Sequence, residues 1–169
     1  MKDKILNANK ILIIGEAGRG KTTLAKKIAE KLNFPVYSTD DFLWKKKFTE
    51  RHDRQESIQK IELVYKTDKW IVEGGSSHLF KSALDKADII IHLKWKNIVS
   101  QWITLIKRRK TRDYESIIDL LQMLIYVTRK RFGIGNNKVK MNKELLKPHQ
   151  YKIIELSSYK EIDDIIAKL

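Results

Sequence analysis

Lys10-Ile11-Leu12-Ile13-Ile14-Gly15-Glu16-Ala17-Gly18-Arg19-Gly20-Lys21-Thr22-Thr23-Leu24-Ala25 is the stretch that decides how this chain is read. Ile11 to Ile14 form a short, continuous apolar run. A run of that kind is a strand buried on both faces, which implies a parallel sheet. Three glycines then interrupt the chain. Beyond them Leu24, Ala25, Ile28, Ala29 and Leu32 recur at helical spacing, and Asn33 ends the helix ahead of Pro35.

Strand, glycine-rich turn and helix enclose Gly15-x-x-x-x-Gly20-Lys21-Thr22, the full P-loop pattern. Its chemistry requires these residue types. Glycines let the backbone wrap closely, so that successive N–H groups point at one anion. The helix that follows aims its positive dipole end at the phosphates. Lys21 reaches the outer phosphates as a mobile charge, and Thr22 offers a hydroxyl to magnesium. Gly15, Gly18, Arg19, Gly20, Lys21, Thr22 and Thr23 are therefore the candidate nucleotide contacts. Thr23 has two roles open to it, a contact to an α-phosphate or a cap that packs.

Working outward, strands alternate with helices. Val36-Tyr37-Ser38 is a second strand, followed by Asp40-Asp41 and a polar stretch from Lys45 to Gln55. Ile58, Ile61, Val64 and Tyr65 mark a helix. Trp70-Ile71-Val72-Glu73 is a third strand, stopped by Gly74-Gly75, and Leu79, Phe80, Ala83 and Leu84 form a short helical face. Ile89 to Leu93 is the fourth strand. Asn97 caps a helix whose apolar face is Ile98, Val99, Trp102, Ile103 and Ile106. Another helix is expected from about Tyr114 to Arg131, a turn at Gly133 to Asn137, and a fifth strand from Tyr151 to Leu156. Ser158 and Glu161 form a capping box for the last helix. Alternation of this kind implies an α/β fold with a parallel sheet and helices on both faces. Ligands of such sheets sit at the carboxyl ends of the strands.

Strand ends therefore supply the remaining candidates. Asp40 or Asp41 either takes a proton from an attacking hydroxyl or holds magnesium through water; which one acts stays open. An ordinary helix N-terminus also favours Asp there. Glu73 suits a carboxylate behind magnesium, and Gly74 lets a substrate approach the backbone. Trp44 lies near enough to the acids to wall a substrate pocket, and Arg51 and Arg54 are placed to clamp an anionic acceptor. Arg108, Arg109 and Arg112 fall in a basic turn, and arginine forks match phosphate oxygens. His52, His78, His92 and His149 show no metal-ligand spacing and read as structural.

The chain has 169 residues, which suits one domain. It has no cysteine, which excludes disulfides, thiolate catalysis and cysteine-bound zinc. The short apolar run near Met1 suits neither a signal peptide nor a membrane span, so a cytoplasmic protein without a membrane partner is expected. The net charge is +14, and residues 94–147 hold fourteen Lys or Arg against four acids. Such an excess draws polyanions, so a nucleic acid is a candidate partner beside the nucleotide.

The P-loop, Val36-Tyr37-Ser38-Thr39-Asp40-Asp41-Phe42-Leu43-Trp44, Arg51 and Trp70-Ile71-Val72-Glu73-Gly74 resemble the adenylate-kinase-like group known as DNA topology modulation proteins. The resemblance runs from about Lys10 to Arg112. It implies a three-layer P-loop fold with a five-stranded sheet in the order 2-3-1-4-5. ATP and magnesium are the implied ligands. It also implies a short arginine-bearing lid around 107–113, built from Arg108, Arg109 or Arg112. Two departures stand out: the "F-P-R" run of true adenylate kinases is absent, and Leu93-Lys94-Trp95 replaces an acid common after strand four. The expected function is a magnesium-dependent phosphotransferase acting on a small metabolite or nucleotide. The alternative is a nucleotide-regulated nucleic-acid-binding protein.

Overall fold

The computed structural model describes residues 2–46, 50–94, 97–109, 116–134 and 144–168. Helix α1 (Lys2–Leu6) leads into β1 (Lys10–Gly15) and α2 (Lys21–Leu32). β2 (Val36–Ser38) and α3 (Thr39–Leu43) come next. A small hairpin of β3 (Trp44–Lys46) and β4 (Glu50–Arg51) precedes α4 (Arg54–Tyr65). β5 (Trp70–Gly74), α5 (Ser77–Phe80), α6 (Ala83–Lys86), β6 (Ile89–Leu93), α7 (Ile98–Arg109) and α8 (Ile117–Phe132) follow. β7 (Ile153–Leu156) and α9 (Tyr159–Lys168) complete the described chain.

Five strands form one parallel sheet in the order β2-β5-β1-β6-β7. Counting only these five in chain order, the arrangement is 2-3-1-4-5, as the resemblance implies. β1 lies in the middle because its side chains are apolar on both faces. Ile11 and Ile13 pack on one side with Leu24, Ala25, Ile28, Ile162 and Ile165 of α2 and α9. Leu12 and Ile14 pack on the other with Ile61, Tyr65, Leu79, Phe80 and Leu84. Each fully buried aliphatic side chain contributes about 1.5–3 kcal/mol relative to exposure. The P-loop is thus anchored to the central strand of the sheet.

Local signals set most boundaries. Asn33 takes the left-handed conformation that closes α2, with φ 54°. Asn97 Oδ1 accepts the N–H of Ser100 at 2.8 Å. Ser158 and Glu161 cap α9 reciprocally: Ser158 Oγ accepts from Glu161 N–H at 3.2 Å, and Glu161 Oε2 accepts from Ser158 N–H at 3.1 Å.

Three boundaries differ from expectation. The polar stretch after Trp44 holds the β3–β4 hairpin, with Trp44 opposite Arg51. The Arg51 guanidinium lies 4.6 Å over the Trp44 ring, so a cation–π contact stands in for an apolar pattern. α8 starts at Ile117, where Ser116 and Asp119 exchange cap hydrogen bonds of 3.0 and 3.1 Å. The fifth sheet strand starts at Ile153, because Lys147–Lys152 forms a 3-10 helix opened by Pro148.

Candidate functional site

The P-loop joins β1 to α2 at the carboxyl edge of the sheet. Gly20 is the N-cap of α2 with φ 87°, and no side chain caps the helix there. A backbone turned this way presents uncapped N–H groups to an anion. Lys21 Nζ donates to Glu16 O at 3.0 Å, which lays the lysine across the loop.

Thr22 meets Glu73. Its hydroxyl donates to Glu73 Oε1 at 3.0 Å. Glu73 sits at the end of β5, next to β1 in the sheet, and only 4% of it is exposed. A buried carboxylate beside a P-loop hydroxyl is an oxygen-only donor pair, which suits a hard divalent cation such as magnesium. Among the described residues there is no cluster of three or more His, Cys, Asp or Glu for a metal. A magnesium ion here would therefore draw on Thr22 and Glu73 together with phosphate and water oxygens.

Arg19, a candidate nucleotide contact, is held by protein groups. Its side chain is buried, with Nε donating to Lys94 O at 2.6 Å. Its guanidinium lies 4.7 Å over the ring of Tyr159, whose hydroxyl donates to Gly18 O at 3.0 Å. Arg19 and Tyr159 brace the loop from behind. Gln101 of α7 adds a third brace, with Nε2 donating to Ala17 O at 3.2 Å.

The acids and the hairpin lie on the β2 side of the loop. Ser38 pairs in register with Glu73, and Asp40 and Asp41 follow in the first turn of α3, both exposed. Ser38 Oγ accepts the Asp40 N–H at 3.3 Å. Arg51 is engaged with Trp44, and Arg54 is exposed at the first position of α4. Gly74 is buried against Thr39, so the residue expected to admit a substrate is filled by protein. The exposed glycine is its neighbour Gly75.

The β6–β7 side of the loop holds a cavity of about 670 Å³. Gly15, Glu16 and Ala17 line it at the loop, and Tyr126 and Arg131 of α8 line it opposite. His92, Lys94 and Glu155 come from the ends of β6 and β7. The Lys94 ammonium pairs with Glu155 Oε1, and His92 Nδ1 lies 3.7 Å from the same oxygen. Of these residues the sequence singles out Lys94, as a departure after the fourth strand and part of the basic stretch, and His92, as structural; Tyr126 and Glu155 carry no signal as site residues. For His92 the position at a strand end was the one available signal. Arg109 ends α7, whereas the Arg108 side chain and the whole of Arg112 lie outside the described residues.

No protein-family model matches the chain. A "Putative adenylate kinase" of Pyrococcus furiosus is 32% identical over 110 residues, 62% of this chain and 56% of that protein. The chain thus spans about half the length of the curated relative it matches. Three solved structures are similar in fold. A shikimate kinase from Bacteroides thetaiotaomicron has a TM-score of 0.61 at 14% identity, over 95% of this chain and 96% of that one. A shikimate kinase from Acinetobacter baumannii, in complex with shikimate, has a TM-score of 0.57 at 15% identity, over 98% and 93%. A gluconokinase from Sinorhizobium meliloti has a TM-score of 0.52 at 11% identity, over 95% and 88%. In fold the chain is similar to these kinases, and over 110 residues its sequence is similar to that of the kinase-named relative.

Proposed function

We propose that this protein is an ATP-dependent phosphotransferase acting on a small molecule. One observation carries the reading: the uncapped loop, the Thr22–Glu73 pair and a ligand-sized cavity share one sheet edge. Cavities of this size accept small metabolites. Loop N–H groups and Lys21 hold the phosphates of ATP. Thr22 and Glu73 hold magnesium, which when bound neutralises charge on the phosphates. Asp40 or Asp41 approaches from the β2 side to orient an acceptor hydroxyl. Arg108, Arg109 and Arg112 remain the lid candidates on the α7 side. The kinases named above, one of them holding shikimate, support a small hydroxylated acceptor for this chain as well.

The nucleic-acid reading of residues 94–147 gains no support from these proteins. Within that stretch Lys94 is paired with Glu155 and Arg131 lines the cavity.

A coupled ADP-release assay across nucleosides, nucleotides, polyols and hydroxy acids tests the proposal. One acceptor class is expected to raise ADP release above the ATP-only rate. Thr22→Ala and Glu73→Gln are expected to lower that stimulated rate by roughly 100-fold, the scale of losing one preorganised electrostatic contact. Absence of stimulation by every class, with ATP still bound, defeats it.

A further inference from the structure

The hairpin of α7 and α8 exposes more apolar surface than its packing on the sheet explains. On α7, Val99 is 56% exposed, Trp102 37%, Ile103 48% and Ile106 45%. Their spacing makes one continuous stripe over two turns. On α8, Ile117 is 60% exposed, Ile118 66%, Leu121 53%, Ile125 52% and Phe132 63%. The opposite faces point inward, with Gln101, Leu105 and Val127 buried. Trp102 Nε1 donates to Thr128 Oγ1 at 3.1 Å, which joins the helices where the two stripes adjoin. Contiguous exposed apolar surface of this extent marks an interaction site.

We infer that this hairpin face is the contact between two copies of the chain. Nine half-exposed side chains offer on the order of 800 Å² of apolar surface, the share one partner gives to a standard interface. The stripe residues themselves carry no charge, and the exposed Lys107, Asp119 and Arg129 fall at its margin. Two such hairpins packed face to face form a four-helix arrangement about a two-fold axis. An anionic bilayer surface is the competing occupant. An interfacial helix needs cations flanking its apolar face along its length. Here Lys107 and Arg109 lie in the last turn of α7, Arg129 and Arg131 lie in the last turn of α8, and the exposed Asp119 sits beside Ile118.

The pairing would reach the site without adding a residue to it. α7 also carries Gln101, bonded to the loop, and α8 carries Tyr126 and Arg131 into the cavity. Two copies would therefore hold each other's cavity-lining helices.

Sedimentation equilibrium of the whole chain, over roughly 1–200 μM in physiological salt, tests the inference. The expected mass rises with concentration to about twice the 19.9 kDa of one chain. Ile103→Glu and Leu121→Glu, on opposite helices, are each expected to keep the far-UV spectrum and hold the mass at one chain. A native chain that stays monomeric throughout overturns the inference, as does a dimer that both folded variants leave intact. A monomer that co-sediments with phosphatidylserine vesicles also overturns it, in favour of the lipid surface. None of these readouts depends on phosphotransfer, so the inference and the proposed activity fail separately.

Discussion

Gly74 ends β5 with φ 154°, and a Cβ built on it would lie 1.7 Å from Thr39 Oγ1. Thr39 is wholly buried and cannot swing into solvent. Gly74→Ala is therefore expected to destabilise the fold by about 2–4 kcal/mol, through a strained φ and an overpacked contact. Urea unfolding measures it, and an unchanged midpoint refutes the packing account. The sequence shows that position 74 is glycine but not why. A close approach is legible there only as the need for a small residue, and the neighbour turns out to be Thr39 rather than a ligand. Arg19 teaches the same lesson from the other side. Within a P-loop an arginine reads as a phosphate contact, yet its partners, Lys94 and Tyr159, lie 75 and 140 positions away in the chain. No local pattern encodes partners at that separation.

Elements were more legible where a signal is local. The Ser158–Glu161 box and the Asn33 stop depend on residues within a few positions of each other, and both stand in the structure. The β3–β4 hairpin had no apolar period to announce it, whereas the Ser116–Asp119 box has the same local spacing as Ser158–Glu161 and was legible in principle. The α4 start is set by Asp53, whose carboxylate accepts the N–H groups of Gln55 at 2.8 Å and Glu56 at 3.2 Å. These bonds, that of Glu56 foremost, hold the Asp53 carboxyl below the usual carboxylate range. Glu56 is lowered too, by hydrogen bonds from Lys60 and then His52. A lowered folded-state pKa stabilises above the unfolded value, and that stability is lost as pH falls through the folded value. Asp53→Ala should lower Tm by roughly 2–4 °C at pH 7. The gap between variant and native chain should close below about pH 4, where the native carboxylate takes up its proton. Thermal unfolding at pH 7, 5 and 3 checks this, and a gap that is constant across the series counts against the cap.

At the scale of the molecule, the alternation of strands and helices led to a parallel sheet, and the rule of carboxyl ends led to its edge. That rule singled out Asp40–Asp41 and Glu73 as candidates, because they lie just after β2 and near the end of β5. It did not find the cavity wall. Tyr126 and Arg131 face Gly15 to Ala17 only because α8 folds back over the ends of β6 and β7. The fold thus sets an acidic flank on the β2 side of the phosphate loop and, on the β6–β7 side, a cavity lined by charges of both signs. These flanks should fail differently. If Asp40 or Asp41 orients the acceptor hydroxyl, the asparagine variant of the acting residue lowers kcat, on the order of 100-fold for an acid–base role, with little change in KM. If the cavity seats the acceptor, Arg131→Ala raises acceptor KM by roughly 10-fold, the scale of one charge-assisted hydrogen bond, with kcat nearly kept. If Arg131 serves the acceptor alone, ATP affinity should stay within about two-fold in Arg131→Ala, against the roughly 10-fold loss that a phosphate contact would give. Steady-state kinetics with each substrate varied in turn separate the cases. An Arg131→Ala enzyme that loses ATP affinity instead would move that residue from the acceptor to the donor side of the loop.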